Sequence, residues 1–352
     1  MKIALVTDTH FGGRNDSKAF DNFFRKFYEE MFFPYLDDNN IKTIMHLGDC
    51  FDRRKYINYN TLQSCREYFF DAARKRGIRL FMIPGNHDTY FKNTNSVNSP
   101  SLLLKDYDNI TLIEKAQEVV FDGTPILYVP WICPENEQET MDTVARSNAQ
   151  YCFGHFEFKD YDMYRGITNP HGMDASHFHK FRHVVSGHFH HRHTRDNVTY
   201  MGNAYEITWA DYNDPRGFGV FDTGTGHLSF VNNPFKMFHK LTYDDTNQSE
   251  DYISSFDYNS VHGCAVKVIV VAKNNFEMFD RFIDNLYAQD LNDLEILEDF
   301  SEFEFSEFDE NIDLEDTMSI LKDYVNNVET NLDKDRLQTI LQTLFIEAQD
   351  VT

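Results

Sequence analysis

Five short polar clusters carry the chemistry open to this chain. They are Asp8-Thr9-His10, Gly48-Asp49-Cys50-Phe51-Asp52-Arg53, Pro84-Gly85-Asn86-His87-Asp88, Gly154-His155-Phe156 and Ser186-Gly187-His188-Phe189-His190. Carboxylate oxygen and imidazole nitrogen in this mixture suit manganese, iron or zinc, and so many histidines argue against magnesium or calcium alone. Asp8 and His10, two apart on an extended backbone, point to one side, as do His188 and His190. Asp8, His10, Asp49, Asn86, His155, His188 and His190 are more ligands than one ion needs, but they fit two ions sharing a carboxylate. Asp49 is the candidate for the shared group. Two ions about 3.5–4 Å apart can bind both the attacking and the leaving oxygen of an in-line displacement at phosphorus, and a water between them loses a proton near neutrality. No side-chain nucleophile is then required. His87 is left as a non-ligand histidine, able to stabilise phosphoryl charge or protonate the leaving oxygen. Asp88 or Asp52 could orient it through a hydrogen bond. Arg53 and Arg54 are candidates for phosphate contact, the alternative being a solvated pair.

Each cluster follows directly on an apolar, strand-like run: Lys2–Val6, Ile41–Leu47, Ile78–Ile83, Tyr151–Phe153 and His183–Val185. Residues just past the carboxyl ends of strands converge on one edge of an α/β sheet, so positions from 8 to 190 can meet in one site. The glycines at 48, 85, 154 and 187 suit sharp turns that bring backbone close to a ligand. Further strands are expected at 110–121, 126–130, 198–201, 217–221 and 227–231. Helices are expected at 17–37, where Phe20, Phe23, Phe24, Phe27 and Met31 share a face, and at 59–76 and 137–147. Strand-helix-strand order followed mostly by strands predicts a layered α/β sandwich. Residues 234–260 read as a polar linker. Val266–Ala272, Glu277–Ala288 and Leu294–Leu297 form a βαβ-sized unit, and two amphipathic helical patterns follow an acidic stretch. His46, inside an apolar run, is expected in the core. His171, His177, His179, His183, His191 and His193 are expected on loops or the surface.

The net charge is −24 over 352 residues, but it is unevenly spread. Residues 1–245 carry 27 Lys+Arg against 32 Asp+Glu, and fourteen of the fifteen histidines; residues 246–352 carry 6 against 25. Only the first part looks built for metal chemistry, and it is nearly neutral toward a polyanion. Five scattered cysteines, none spaced as Cys-x-x-Cys, exclude a disulfide framework or zinc finger and suit a reducing cytoplasm. No run reaches the roughly 20 apolar residues of a membrane span. The apolar run before Asp8 is too short for a signal-peptide core.

The order Asp-x-His, Gly-Asp-x-x-Asp, Gly-Asn-His-Asp, Gly-His, Gly-His-x-His over residues 8–190 resembles that of the calcineurin-like metallophosphoesterases. Within that family the chain is similar to the SbcD-type nucleases of double-strand-break repair, those of T-even-like phages included. The likeness rests on the opening KIALVTDTHFGG, on GDCFDRR before a helix, IPGNHD, VSGHFHH, and Gly202-Asn203-Ala204-Tyr205-Glu206. The resemblance implies an α/β/β/α metallophosphoesterase sandwich over 1–245, a small α/β capping domain over 246–300, and an acidic linker with C-terminal helices over 301–352. It implies a DNA exo/endonuclease that hydrolyses phosphodiester bonds at DNA ends in recombination and repair. Asp8, His10, Asp49 and His190 would hold one ion and Asp49, Asn86, His155 and His188 the other. Manganese is expected, with magnesium, iron or zinc as alternatives. His87 would be catalytic and paired with Asp88. Residues 317–348 would bind the coiled coil of an SbcC-type ATPase, and helices 17–37 and 59–76 would form a homodimer. Arg53-Arg54 and the Asp at 88 depart from the protein Ser/Thr phosphatase forms GDYVDRG and GNHE. The alternatives are a small-substrate phosphodiesterase or protein phosphatase of the same fold, and a non-catalytic scaffold.

Overall fold

The computed structural model describes residues 1–249 and 251–298, and Lys334 beyond them. The expected C-terminal helices, the partner segment 317–348 included, lie outside the described residues.

Two six-stranded sheets form the larger part. The strands of the first are β1 (Lys2–Val6), β2 (Thr43–His46), β3 (Arg79–Met82), β4 (Ile110–Leu112), β13 (Gly217–Asp222) and β14 (His227–Asn232), in the order β14-β13-β1-β2-β3-β4. β1 to β4 run parallel, and β13 returns antiparallel beside β1. The second sheet has β5 (Gln117–Phe121), β6 (Thr124–Val129), β7 (Tyr151–His155), β10 (His183–Gly187), β11 (His193–Arg195) and β12 (Val198–Tyr200), ordered β11-β12-β10-β7-β6-β5. Its middle strands β6, β7, β10 and β12 are parallel. Parallel order matters for the site, because it sends the carboxyl ends of β1, β2, β3, β7 and β10 to neighbouring loops.

Alternation along the strands divides the apolar residues between two faces. Ile3, Leu5, Met45, Phe81 and Phe221 of the first sheet meet Tyr128, Phe153 and Val185 of the second in one buried core. The opposite face of the second sheet, with Leu127, Val129, Cys152, Val184 and Tyr200, packs against Val144 of the helix Glu137–Arg146. The outer face of the first sheet meets two helical segments, 18–38 and 59–75. Phe20, Phe23, Phe24 and Phe27 fall at helical spacing and are all buried. A π-turn at Tyr28–Phe32 resets the stripe, so Phe32, five residues after Phe27, is buried too. A second π-turn, Arg66–Phe70, does the same for Tyr68, Phe69 and Phe70. The two turns touch, with the Tyr28 and Tyr68 rings stacked at 5.6 Å. Each fully buried ring of this kind contributes about 2–3 kcal/mol. These aromatics are therefore interior, and a dimer contact through the helices would have to use their other residues.

Residues 110–121, expected as one strand, are two strands in different sheets. The polar Glu114-Lys115 step breaks the run and carries the chain across the sandwich. A short hairpin, β8 (Asp162–Tyr164) with β9 (Ile167–Thr168), was not foreseen and sits between β7 and β10. The expected linker 234–260 also holds a strand. β15 (Phe238–Asp244) pairs in parallel with β16 (Ala265–Ala272), which pairs with β17 (Asp293–Leu297). β15 is only half-buried along its length, so its alternation is diluted by polar residues. Helix Phe276–Tyr287 covers this small sheet through Phe279, Phe282 and Leu286. Buried Glu206 fixes the entry into it, accepting the Met237 and Phe238 amides at 2.8 and 3.0 Å. No helix among the described residues is long and apolar enough to cross a membrane.

Candidate metal centre

The loop after β1 lies along the loop after β2. The Asp8, His10 and Phe11 amides donate to the carbonyls of Gly48, Asp49 and Cys50 at 3.0, 3.1 and 2.9 Å. To run this way the chain turns left-handed at Asp8 (φ 50°), His10 (φ 41°) and Asp49 (φ 53°). His188, after β10, is also left-handed at φ 87°. The extended backbone expected for Asp-x-His is therefore absent, and the convergence comes from turns. Such conformations cost roughly 1–3 kcal/mol each and cluster at functional sites. Glycine is required next to them. A Cβ at Gly48 (φ 98°) would meet His155 Nδ1 at 2.5 Å, and one at Gly85 would strike Asp49.

These turns bring the expected ligands into two groups, Asp8 with His10 and His190, and Asp49 with His155 and His188. Ligand atoms within each group lie within 4.8 Å of one another. His190 stands in the first group and His188 in the second. Asn86 Oδ1 joins the second, 3.0 Å from both His155 Nε2 and His188 Nδ1. Asp49 Oδ2 is 3.3 Å from His155 Nε2 and 3.9 Å from His10 Nε2, so one carboxylate reaches both groups. The donor set fits two divalent ions. His10 Nε2 and His190 Nε2 face each other at 3.1 Å, two ring nitrogens pointed at one place. His155 Nδ1 is already engaged from behind, 2.7 Å from the Leu47 carbonyl, as in metal-binding histidines, and His10 Nδ1 has the Asp52 carboxylate 3.4 Å away.

Electrostatics agree with this use. Burial, followed by the neighbouring His155, pushes His188 down to about 3, and burial with His10 and Arg216 nearby holds His190 well below the usual range. Both present neutral rings. Burial also opposes charge on His10 and His155, but the carboxylates around them prevail and raise each to about 9. Burial likewise works against ionised Asp49, yet His155, His87 and His10 keep its carboxyl well below the ordinary value. Excess negative charge at the centre is thus balanced by protons that a cation would displace.

His87 stands beside the ligands, half-buried, its ring edge-on to His10 at 4.8 Å. Its amide donates to Asp49 Oδ1 at 2.8 Å, and its Nδ1 lies 2.6 Å from the Asp52 carbonyl. That contact fixes the tautomer with Nδ1 protonated. The orienting group is therefore the Asp52 backbone. Asp88, implied as the partner of His87, has another role here. Its buried carboxylate accepts the amides of Gly85, Cys50 and Phe51 at 2.9, 3.0 and 3.2 Å and pins the loop after β3 to that after β2. Burial and the Asp49 charge raise it to about 6. Arg53 is paired with Asp16 and bonds Asn15 at 2.9 Å, while Arg54 Nε donates to the Thr89 carbonyl at 3.0 Å. Both arginines tie loops at the rim of the centre.

His46 is in the core as expected, bonded to the Thr9 hydroxyl at 3.0 Å. His171, His177 and His179 are exposed. His183 bonds Thr199, and His193 stacks on Tyr200 at 5.1 Å, so these two brace the second sheet. Three positions had no role assigned from the sequence. Tyr205 donates to the Thr9 carbonyl at 2.6 Å between two ligands. Arg216, 2% exposed, bonds Asp211 at 2.8 Å, Asp214 at 2.9 Å and the His190 carbonyl, holding that turn from behind. Trp131 follows β6 at the same sheet edge, its ring 5.2 Å from His188. The strand-then-cluster rule would have found Trp131 had it included aromatic as well as polar residues.

A family model described as calcineurin-like phosphoesterase matches residues 1–192. The chain is 30% identical over 354 aligned positions to exonuclease subunit 1 of Enterobacteria phage T4, covering 99% of each. Among solved structures it is similar to an archaeal phosphodiesterase, at 13% identity and TM-score 0.34, over 66% of this chain and all of that one. It is also similar to the Pseudomonas putida nuclease MPE, at 13% identity and TM-score 0.32, over 64% of this chain and 87% of that one. With the ligand order, the two-group geometry and the family match in agreement, the chain belongs to the calcineurin-like phosphoesterases, hydrolases that work with divalent metal.

Proposed function

We propose that this protein is a DNA nuclease subunit that hydrolyses phosphodiester bonds at DNA ends during recombination and repair. The observation that carries the reading is end-to-end similarity to a phage exonuclease subunit in a chain that keeps the whole ligand set and His87. Asp8, His10, Asp49 and His190 would hold one ion, and Asp49, Asn86, His155 and His188 the other, with manganese the expected metal. Bound there, the pair supplies Lewis acidity to a phosphodiester and acidity to water. The chain's own residues do the rest. The left-handed turns and their glycines hold the ligands in place before substrate arrives. His87, with Nδ1 engaged by the Asp52 carbonyl, offers Nε2 to the reacting phosphate and, when protonated, donates to the leaving oxygen. Asp88 keeps His87 in register by fixing the loops on which it stands.

The nuclease unit is assigned to residues 1–245 and the capping unit to 246–300, with β15 (Phe238–Asp244) reaching across that boundary into the small sheet; the helices for an SbcC-type coiled-coil ATPase are assigned to 317–348, with homodimerisation through helices 17–37 and 59–76. The test is manganese-dependent cleavage of end-labelled single- and double-stranded DNA by wild type and by His87→Ser. Cleavage lost by about 10²–10⁴-fold in the variant, with two ions still bound, supports the reading. Hydrolysis of a small diester without cleavage of either DNA would replace it with the small-substrate phosphodiesterase.

A further inference from the structure

The rim of the metal centre holds aromatic rings out in solvent. Tyr90 and Phe91 follow the loop that carries Asn86, His87 and Asp88; they are 42% and 48% exposed, with ring centroids 4.7 Å apart. Tyr56 is 64% exposed, its ring 4.9 Å from the Arg53 guanidinium. Trp131, half-buried, reaches in to the His188 ring.

Slack backbone does not explain this exposure. The Tyr90 amide donates to the Val97 carbonyl at 2.9 Å, and Thr89 pairs with Asn98 as a β-bridge. Asn95 Nδ2 donates to the Trp131 carbonyl at 2.7 Å, and the Glu135 amide to the Asn93 carbonyl at 3.2 Å. Arg54 fastens the Tyr56 loop to Thr89. The four rings therefore stand on three segments tied to one another beside His87. A rigid loop that displays large apolar rings beside a polar centre marks a binding surface.

Charge indicates what binds. Cations flank the rings in sequence, Arg53, Arg54 and Lys55 before Tyr56 and Lys92 after Phe91, with Arg53 paired to Asp16. Like charge disfavours a second copy of the same face. A polyanion with flat faces satisfies both features, because cations follow its backbone while bases stack on the rings.

Building on the nuclease reading, we propose that Tyr56, Tyr90, Phe91 and Trp131 form a stacking platform for unpaired bases. The enzyme then favours single strands and frayed ends over intact duplex. Tyr90 and Phe91 take the bases flanking the scissile phosphate, and Trp131 closes the side next to His188.

The test uses full-length wild type, Tyr90→Ala/Phe91→Ala and Tyr90→Phe, with a single-stranded oligonucleotide, the same strand carrying abasic residues, and bis(4-nitrophenyl) phosphate. The alanine pair should raise KM for the single strand by about tenfold or more while kcat changes by less than about twofold. Tyr90→Phe, which keeps the ring, should keep the wild-type KM. On the abasic strand wild type should already show the raised KM, with no further rise in the alanine pair. An unchanged KM for the alanine pair, or an equal rise on the abasic strand, would overturn the platform alone. Hydrolysis of the small diester by wild type without cleavage of any DNA would overturn the nuclease reading and the platform together. A change of sedimentation coefficient in the alanine pair, with KM unaltered, would assign the surface to a second copy of the chain.

Discussion

Asp49 places its two oxygens differently. Oδ1 accepts the His87 amide, and Oδ2 lies between His155 and His10, so one side chain couples both ligand groups to His87. Asp49→Ala should therefore lose both ions, whereas His190→Ala should lose one. Metal content per chain after dialysis against manganese measures this, and equal content in the two variants would refute the division of ligands. His46 gives a prediction of a different kind. Burial lowers it from an ordinary 6.5 to about 3, so between those values the unfolded chain binds a proton that the folded chain excludes. Its contribution to stability is complete above pH 6.5 and declines as pH falls toward 3, by at most ~1.4 kcal/mol per pH unit. In His46→Gln the loss of unfolding free energy between pH 7 and pH 5 should be about 2 kcal/mol smaller than in wild type. Urea titrations at the two pH values read it, and an unaltered difference would show that another group governs the acid limb.

At the level of elements, the strands end where the ligands begin, and the loops between them are over-determined. Gly85 has no room for a methyl group against Asp49. Gly85→Ala should displace that carboxylate and lower manganese affinity at both positions while the secondary structure persists, an outcome calorimetry and circular dichroism can check together. The turn after β10 depends on a buried cation. Replacing Arg216 by Met leaves Asp211 buried without its cation, while Asp214 keeps His191 at 2.9 Å, and should cost about 3–5 kcal/mol in chemical denaturation. A cost under about 1 kcal/mol would mean that water or Arg165, 3.4 Å from Asp214, takes over.

For the molecule as a whole, charge and chemistry are segregated. The metal centre and the cations flanking its aromatic rim lie in the nearly neutral first 245 residues, and most of the acidity lies behind them. Truncation after Glu298 should preserve hydrolysis of a small diester, since every expected ligand precedes that point. The same truncation should abolish co-purification with a coiled-coil ATPase expressed alongside. Retained co-purification would move the docking surface out of residues 317–348.

Residue types and order alone named the candidate ligands, with Asp49 as the candidate shared group, and determined the place of His46 in the core and the layered fold. Each rests on local rules: donor chemistry, and polar clusters that follow apolar runs. Geometry that depends on contact between distant segments was not legible. The sequence has no mark for the left-handed turns at Asp8, His10, Asp49 and His188, because they arise from pairing of the loop after β1 with that after β2. Nor could it show that Asp88 clamps backbone while the Asp52 carbonyl orients His87. Both groups lie within hydrogen-bonding reach in sequence, and only packing decides which bond forms. β15 was hidden for a related reason: a strand half-covered by its neighbours needs only half its residues apolar. Arg216 and Trp131 gained their roles only when folding brought the turn carrying His188 and His190 to them.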